Sequence, residues 1–213
     1  MKKRCGWCGD DPIYVQYHDT EWGVPTYDDH SLFESLVLEG AQAGLSWITV
    51  LRKREGYRAA FASFDYEAIA GFSDRQLMEL RTDERIIRNR LKIESARTNA
   101  IAFIETRQEF GSFSEFIWGF VNDRPIVNSW NENESIPAST ELSERISKNL
   151  KKRGFKFVGS TIVYSFLQAC GLVNDHVTSC FRHEECRAMA KYCLLYTSPS
   201  PRDRTRSRMP SSA

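Results

Sequence analysis

Four residues constrain this chain more than any others: Cys5 and His18 near the N-terminus, and His176 and Cys180 roughly 160 residues later. Two thiolates and two imidazoles are the ligand set of a closed, tetrahedral structural zinc site. Built from both ends of a chain, such a site staples those ends together. His176 and Cys180 stand i,i+4, a spacing that predicts both side chains on one face of a helical turn. Spacing alone leaves open that the four are unrelated, so the rest of the sequence has to decide.

Residues 193–213 read differently from everything before them. Cys193 to Asp203 (CLLYTSPSPRD) resembles the translation of a transposase-type sequencing adapter, and Ser207 to Ala213 (SRMPSSA) resembles the far end of that adapter in the same frame. The three residues between, Arg204, Thr205 and Arg206, fill the place of an index. This segment is expected to be an artefactual, disordered tail outside the fold; a natural Pro/Ser/Arg-rich tail is the alternative. Without its four Arg and one Asp, residues 1–192 carry 25 basic and 27 acidic side chains. Overall charge therefore gives no argument for nucleic acid, and any such argument must rest on local patches.

Residues 1–192 are enough for a single domain, read here as two packed helical lobes around a proper core. Met1-Lys2-Lys3-Arg4 leads into Cys5-Gly6-Trp7 rather than an apolar run, and no apolar stretch reaches membrane-spanning length. Five cysteines precede the tail, an odd count that favours metal ligation or free thiols over a disulfide framework. The expectation is a cytoplasmic monomer with no membrane partner.

Helical periodicity dominates, and the fold class is all-α. Leu32, Phe33, Leu36, Val37 and Ala41 follow a 3.6-residue period, with Ser31 as the expected N-cap. Gly40, Gly44 and Ser46 then weaken the helix before Trp47, Ile48, Val50 and Leu51, which predicts an elbow at 42–46. Further helices are expected over 57–63, 66–70, 74–81, 84–106, 112–120, 139–153 and 160–171, three of them capped by Asp65, Ser73 and Ser112. The Asn- and Pro-bearing segment 121–138 is expected to be a loop holding a short extended piece.

Three groups of residues carry chemistry. Glu39 shares the apolar stripe of Leu32, Leu36 and Ala43, and a carboxylate buried there costs several kcal/mol unless a donor or cation meets it. A structural partner and a ligand both satisfy that need. Trp7, Tyr14, Tyr17, Trp22 and Trp47 place five large rings within 41 residues. They are either ordinary core or, alternating with polar residues over 14–23, a loop that presents flat faces to something planar. Finally, Lys151-Lys152-Arg153-Gly154-Phe155-Lys156-Phe157-Val158-Gly159 has a basic helix end, a turn carrying Phe155, Phe157 and Val158 inward, and a new helix start. This helix–hairpin–helix pattern can hold a phosphate on backbone N–H groups, with Lys and Arg adding sequence-independent attraction.

Arg4-Cys5-Gly6-Trp7, Tyr17-His18-Asp19-Thr20-Glu21-Trp22-Gly23-Val24-Pro25, the run from Leu38 to Leu51, Lys152 to Gly159 and Leu172 to His176 resemble the bacterial 3-methyladenine DNA glycosylase I family. The similarity spans nearly all of residues 4–180. It implies a helix–hairpin–helix DNA glycosylase fold, one structural Zn2+ per chain, and excision of 3-methyladenine from alkylated double-stranded DNA in base-excision repair. By that resemblance Cys5, His18, His176 and Cys180 are the zinc ligands, and Glu39 is the base-recognition or catalytic carboxylate. Tyr17 and Trp47 enclose the flipped base, with Trp7, Tyr14 and Trp22 around them. Gly44-Leu45 fills the gap left in the duplex, and Lys152, Arg153, Gly154, Lys156 and Gly159 meet the DNA. Cys8 replaces the Val usual in the family and creates a Cys5–Cys8 pair, with Cys5 the expected ligand. Other helix–hairpin–helix glycosylases place a catalytic Asp after the hairpin, and Asp175 is the nearest candidate for it; beside a zinc ligand it is expected instead to orient His176. Two other classes compete: a zinc-stapled module that binds DNA without chemistry, and a thiol oxidoreductase on Cys5 and Cys8. Asp10-Asp11-Pro12 follows that pair, where a redox motif needs a helix N-terminus to lower a thiol pKa.

Overall fold

The computed structural model describes residues 2–132 and 134–192; the adapter-like tail expected at 193–213 lies outside them. Eleven α-helices are found among the described residues: α1 (Pro12–Thr20), α2 (Asp29–Gln42), α3 (Trp47–Leu51), α4 (Arg54–Ala60), α5 (Tyr66–Ala70), α6 (Asp74–Leu80), α7 (Arg90–Phe110), α8 (Phe113–Trp118), α9 (Glu141–Lys152), α10 (Ser160–Ala169) and α11 (Phe181–Tyr192). Two short strands, β1 (Ile126–Val127) and β2 (Val173–Asn174), pair in parallel. β1 is the extended piece expected in the 121–138 loop. None of the described helices is long and apolar enough to cross a membrane.

α2 is the axis. Its stripe of Leu32, Phe33, Leu36 and Val37 is buried against α7, α8 and α10, where Phe103, Phe113 and Phe166 meet it. A smaller cluster gathers Cys5, Tyr17, Trp22, Leu51, Val177 and Cys180 from the two ends of the chain. Trp47 packs against both clusters.

Local chemistry explains most boundaries. Asp65, Ser73 and Ser112 cap α5, α6 and α8 as expected, each accepting backbone N–H groups. α2 starts earlier than Ser31: Asp28 is its N-cap and accepts both the N–H and the hydroxyl of Ser31. α7 starts at Arg90, where Asn89 caps it, rather than at 84. Two helices lie where none was expected. α1 occupies part of the 14–23 segment read as a loop, with Asp11 as N-cap and Pro12 at N1. α11 follows Cys180.

The expected elbow is a type II turn. Ala43 lies at φ −43°, ψ 115°, Gly44 at φ +77°, and the Leu45 N–H donates to the Gln42 carbonyl at 2.6 Å. Position i+2 of this turn needs a positive φ, which only Gly adopts without strain. Lys92 reaches across from α7 and donates to the Ala41 and Ala43 carbonyls at 2.8 and 2.7 Å, closing the end of α2. Leu45 is left exposed at the tip.

Between α9 and α10 the chain makes the expected tight turn. Phe155 and Val158 are buried, while Phe157 is only half-buried. Asn99 of α7 pins the turn by accepting the Lys156 N–H at 2.7 Å and donating to the Lys156 carbonyl at 3.1 Å. Ser147 donates to the Val158 carbonyl. Asn99→Ala is therefore expected to destabilise the protein by about 2 kcal/mol in urea unfolding, because it removes both side-chain bonds to the Lys156 backbone; an unchanged midpoint would show that the turn does not depend on this anchor.

Candidate active site and metal centre

The ligand atoms of Cys5, His18, His176 and Cys180 all lie within 4.8 Å of one another, and all four residues are buried. Cys5 Sγ is 3.5 Å from His176 Nδ1; Cys180 Sγ is 3.5 Å from His18 Nε2 and 3.6 Å from His176 Nδ1. The outward nitrogens identify the tautomers. His176 Nε2 faces the Trp22 carbonyl at 3.0 Å, and His18 Nδ1 faces Asp19 Oδ1 at 2.8 Å. A carbonyl or carboxylate oxygen only accepts, so each outward nitrogen carries the proton and each inward one presents a lone pair. Two lone pairs and two sulfurs thus converge on one point, a donor set that fits a tetrahedral zinc ion. Cys180 is held well below the usual thiol range, first by the bond from Cys5 and then by His176 and His18.

A chain of partners holds this arrangement. Arg4 grips Asp19 through Nε and Nη2, and Asp19 orients His18. Gly23, at φ +80°, passes so close to His176 that an added Cβ would sit 2.9 Å from Nε2. The His176–Cys180 segment is not the expected helical turn. A loop turn closed by the Cys180 N–H on the Val177 carbonyl brings the two ligands together instead. Cys8 stays outside the cluster: its thiol donates to the Cys5 carbonyl, and burial raises its pKa.

Beside the cluster lies a cavity of about 290 Å³ walled by Trp7, Tyr14, Tyr17, Trp22 and Trp47, with Glu39 between them. All five rings singled out in the sequence therefore line one space. Trp7 touches Tyr14 and Trp22 at centroid distances of 5.0 and 4.9 Å. Tyr17 and Trp47 sit 5.3 Å apart at 48°. A planar base sandwiched between two rings needs roughly 7 Å between them, a wider gap than these two leave here. They form one wall together. Gln42, Tyr164 and Gln168 add polar atoms, and residues 136–138 cover one side. None of these was expected in the site: packing of the loop and of α10 brings most of them there, and only Gln42, three positions after Glu39 on α2, had a signal in the helical spacing.

Glu39 is 3% exposed, and its Oε2 has no hydrogen-bond partner. The structural partner allowed by the sequence is absent among the described residues. Burial pushes its pKa up to about 8. Trp7 and Trp47 bury unpartnered Nε1–H groups in the same wall. On the far side of Glu39, Tyr17 and Trp47 is a second cavity of about 280 Å³. Its two arginines are already paired, Arg54 with Glu21 and Arg58 with Glu34. Glu39 and Trp47 line both cavities, and only the first is walled by all five rings and by Trp7 with its unpartnered N–H.

Of the expected DNA-contacting residues, Leu45, Lys152 and Lys156 are exposed. Arg153 is engaged: its guanidinium pairs with Glu109 at 2.6 and 3.0 Å and stacks over Phe110 and Phe116. Gly154 lies in the turn and Gly159 caps α10 without a side-chain bond, leaving that helix's first N–H groups open.

Residues 7–183 match the methyladenine glycosylase family. The DNA-3-methyladenine glycosylase 1 of Escherichia coli K12 is 53% identical over 178 residues, which cover 84% of this chain and 95% of the relative. A crystal structure of a 3-methyladenine DNA glycosylase I superposes with a TM-score of 0.82 at 52% identity, covering 84% of this chain and 98% of that one. A tyrosine-to-phenylalanine variant of such a glycosylase, solved in complex with 3-methyladenine, gives 0.81 at 37% identity, covering 84% and 96%.

The buried carboxyl makes stability depend on pH. Between its ordinary value of 4.5 and about 8 the folded protein keeps a proton that the unfolded chain gives up, so stability falls as pH rises through that window. Glu39→Gln is expected to be more stable than the parent by about 3 kcal/mol at pH 7 and equal to it near pH 4. Urea titrations at both pH values check this; a difference independent of pH would show that the carboxyl titrates normally.

Proposed function

The chain belongs to the methyladenine glycosylase family, and on that premise we propose that it is a base-excision repair glycosylase that removes 3-methyladenine from alkylated DNA by hydrolysing the N-glycosidic bond. The observation that carries the reading is Glu39: a buried carboxyl with an unpartnered oxygen, facing a cavity walled by five aromatic rings. A structural protein gains nothing from such a group, whereas a site for a flat cation uses both features.

N3-methylation gives adenine a positive charge and makes it a good leaving group, so no residue has to protonate it. The tasks left are selection and positioning. The base leaves the stack to be read, and a damaged base costs less to extrude. In the cavity the ring faces attract the cation by about 0.5–2 kcal/mol each. Glu39 gives up its proton as the cation arrives and accepts hydrogen bonds from the purine edge, a gain that neutral adenine does not offer. Water then attacks the sugar's C1′ and the C1′–N bond breaks. Its electron pair neutralises the purine, and the water's proton passes to solvent.

Duplex DNA is held by the helix–hairpin–helix formed by α9 and α10. The open N–H groups after Gly159 take a phosphate and Lys152 and Lys156 add charge, while Leu45 on the elbow fills the space the base vacates. Arg153 supports this surface through Glu109 rather than by contact. A single chain supplies every wall of the cavity, and we take a cytoplasmic monomer as the working unit.

Cys5, His18, His176 and Cys180 hold one Zn2+. With four protein ligands it supplies no open coordination position, only a cross-link that keeps both thiols deprotonated. One zinc per chain is expected by elemental analysis. Chelation should free two thiols that reductant does not, and lower the Tm by roughly 10 °C. Metal-free protein with an unchanged Tm would remove the structural role.

The test of function is release of free base from methylated DNA by the chain without residues 193–213. Release of 3-methyladenine but not 7-methylguanine is expected, reduced at least a hundredfold in Glu39→Gln and Tyr17→Ala. No release from folded, zinc-loaded protein would overturn the reading in favour of a DNA-binding module.

A further inference from the structure

Asp175 is fully buried yet lines neither cavity. Its Oδ1 accepts from Asn128 Nδ2 at 2.6 Å and Trp130 Nε1 at 2.7 Å; its Oδ2 accepts from the Tyr164 hydroxyl at 2.5 Å and Gln168 Nε2 at 2.7 Å. No cation is among these partners. The role expected from its neighbour in sequence, orienting His176, is not the one found, since that ring's outward nitrogen goes to the Trp22 carbonyl. A carboxylate held in the interior by four neutral donors is an expensive choice. An amide of the same shape would offer two donors to groups that are themselves donors, so this position demands an acceptor on both sides.

The four donors come from two places, and both matter to the aromatic cavity. Tyr164 and Gln168 belong to α10 and line it; Asn128 and Trp130 belong to the 121–138 loop, whose last residues cover it. Asp175 also settles which atoms of α10 remain for a ligand. The donating end of Gln168 is committed to Asp175, so the amide is fixed with its Oε1 acceptor unbonded, and the Tyr164 O–H is likewise turned away. Glu39 Oε2 and the indole N–H groups of Trp7 and Trp47 are the unpartnered atoms elsewhere in the lining of that cavity, so Asp175 fixes the orientation in which α10 meets a base held among them.

We propose that Asp175 is a positioning residue for base binding that does not touch the base: by accepting from Tyr164 and Gln168 it fixes the polar side chains of α10 at the cavity, and through Asn128 and Trp130 it ties the covering loop to them. This rests on the function proposed above and adds a residue that positions its site.

The experiment measures 3-methyladenine affinity by quenching of the pocket tryptophans, on zinc-loaded protein, together with base release from methylated DNA. Asp175→Asn lets the Gln168 amide turn over and is expected to weaken free-base binding at least tenfold. Release of 3-methyladenine from DNA should fall with it, with zinc content unchanged. In a Tyr164→Phe, Gln168→Leu background the same substitution is expected to add less than twofold, because the groups it acts through are gone. Wild-type affinity in Asp175→Asn, or an undiminished effect in the double background, would overturn the proposal. Should Asp175→Asn fail to fold, Trp130→Phe removes one donor more gently and is expected to weaken binding about threefold; no change there also overturns it. If the wild-type protein binds no 3-methyladenine at all, the parent reading fails, an outcome distinct from these.

Discussion

The convergence of Cys5 and His18 on His176 and Cys180 is what the rest of the site depends on. Two imidazole lone pairs and two sulfurs do not assemble in an apolar interior for their own sake, because each is a buried polar group in need of a partner. A single cation, the zinc proposed above, would satisfy all four. Once the cluster is fixed, so is α1, which carries Tyr14, Tyr17 and His18, and so is Trp22, whose carbonyl takes the proton-bearing side of His176. The aromatic cavity is therefore built around this cluster: four of its five rings lie within four positions of Cys5 or His18. This explains how an apolar cluster of only six buried residues, at the margin of a much larger core, can hold its shape.

Glu39 exploits that rigidity. Its helix is anchored by the main core, so the carboxyl cannot swing out to water and titrates upward instead. The energy lost by burying it is available to any ligand that brings a positive charge, and unavailable to one that does not. Binding and selectivity then share a source, which is a natural arrangement for an enzyme searching among a vast excess of neutral bases.

Much of this was legible in the sequence, for identifiable reasons. The buried stripe of α2 and the caps at Asp65, Ser73 and Ser112 follow from local periodicity and side-chain chemistry, and the structure keeps them. The elbow at 42–46 was readable because a glycine between two apolar runs needs a turn. What failed was local context overridden or overlooked. Asp11-Pro12 is a helix start that the aromatic content of 14–23 obscured, and the i,i+4 spacing of His176 and Cys180 suggested a helix where a loop turn does the same work. Nor was the separation of Tyr17 and Trp47 legible, since ring identity does not fix how far apart two rings stand. Asp175 was misassigned because its partners lie 7 to 47 residues away, beyond the reach of any spacing rule.

Lys92 gives the elbow a property that a glycine-bearing turn would otherwise lack. Turns of this kind are usually soft, and a soft loop must be frozen by whatever it meets, at a cost of about 0.5–1.5 kcal/mol for each side chain immobilised. Here the ammonium group ties two backbone carbonyls of the turn to the longest helix of the fold. Leu45 consequently arrives at any surface already shaped, like a probe on a rigid arm: the freedom was surrendered at folding, and contact has only its own interactions to settle.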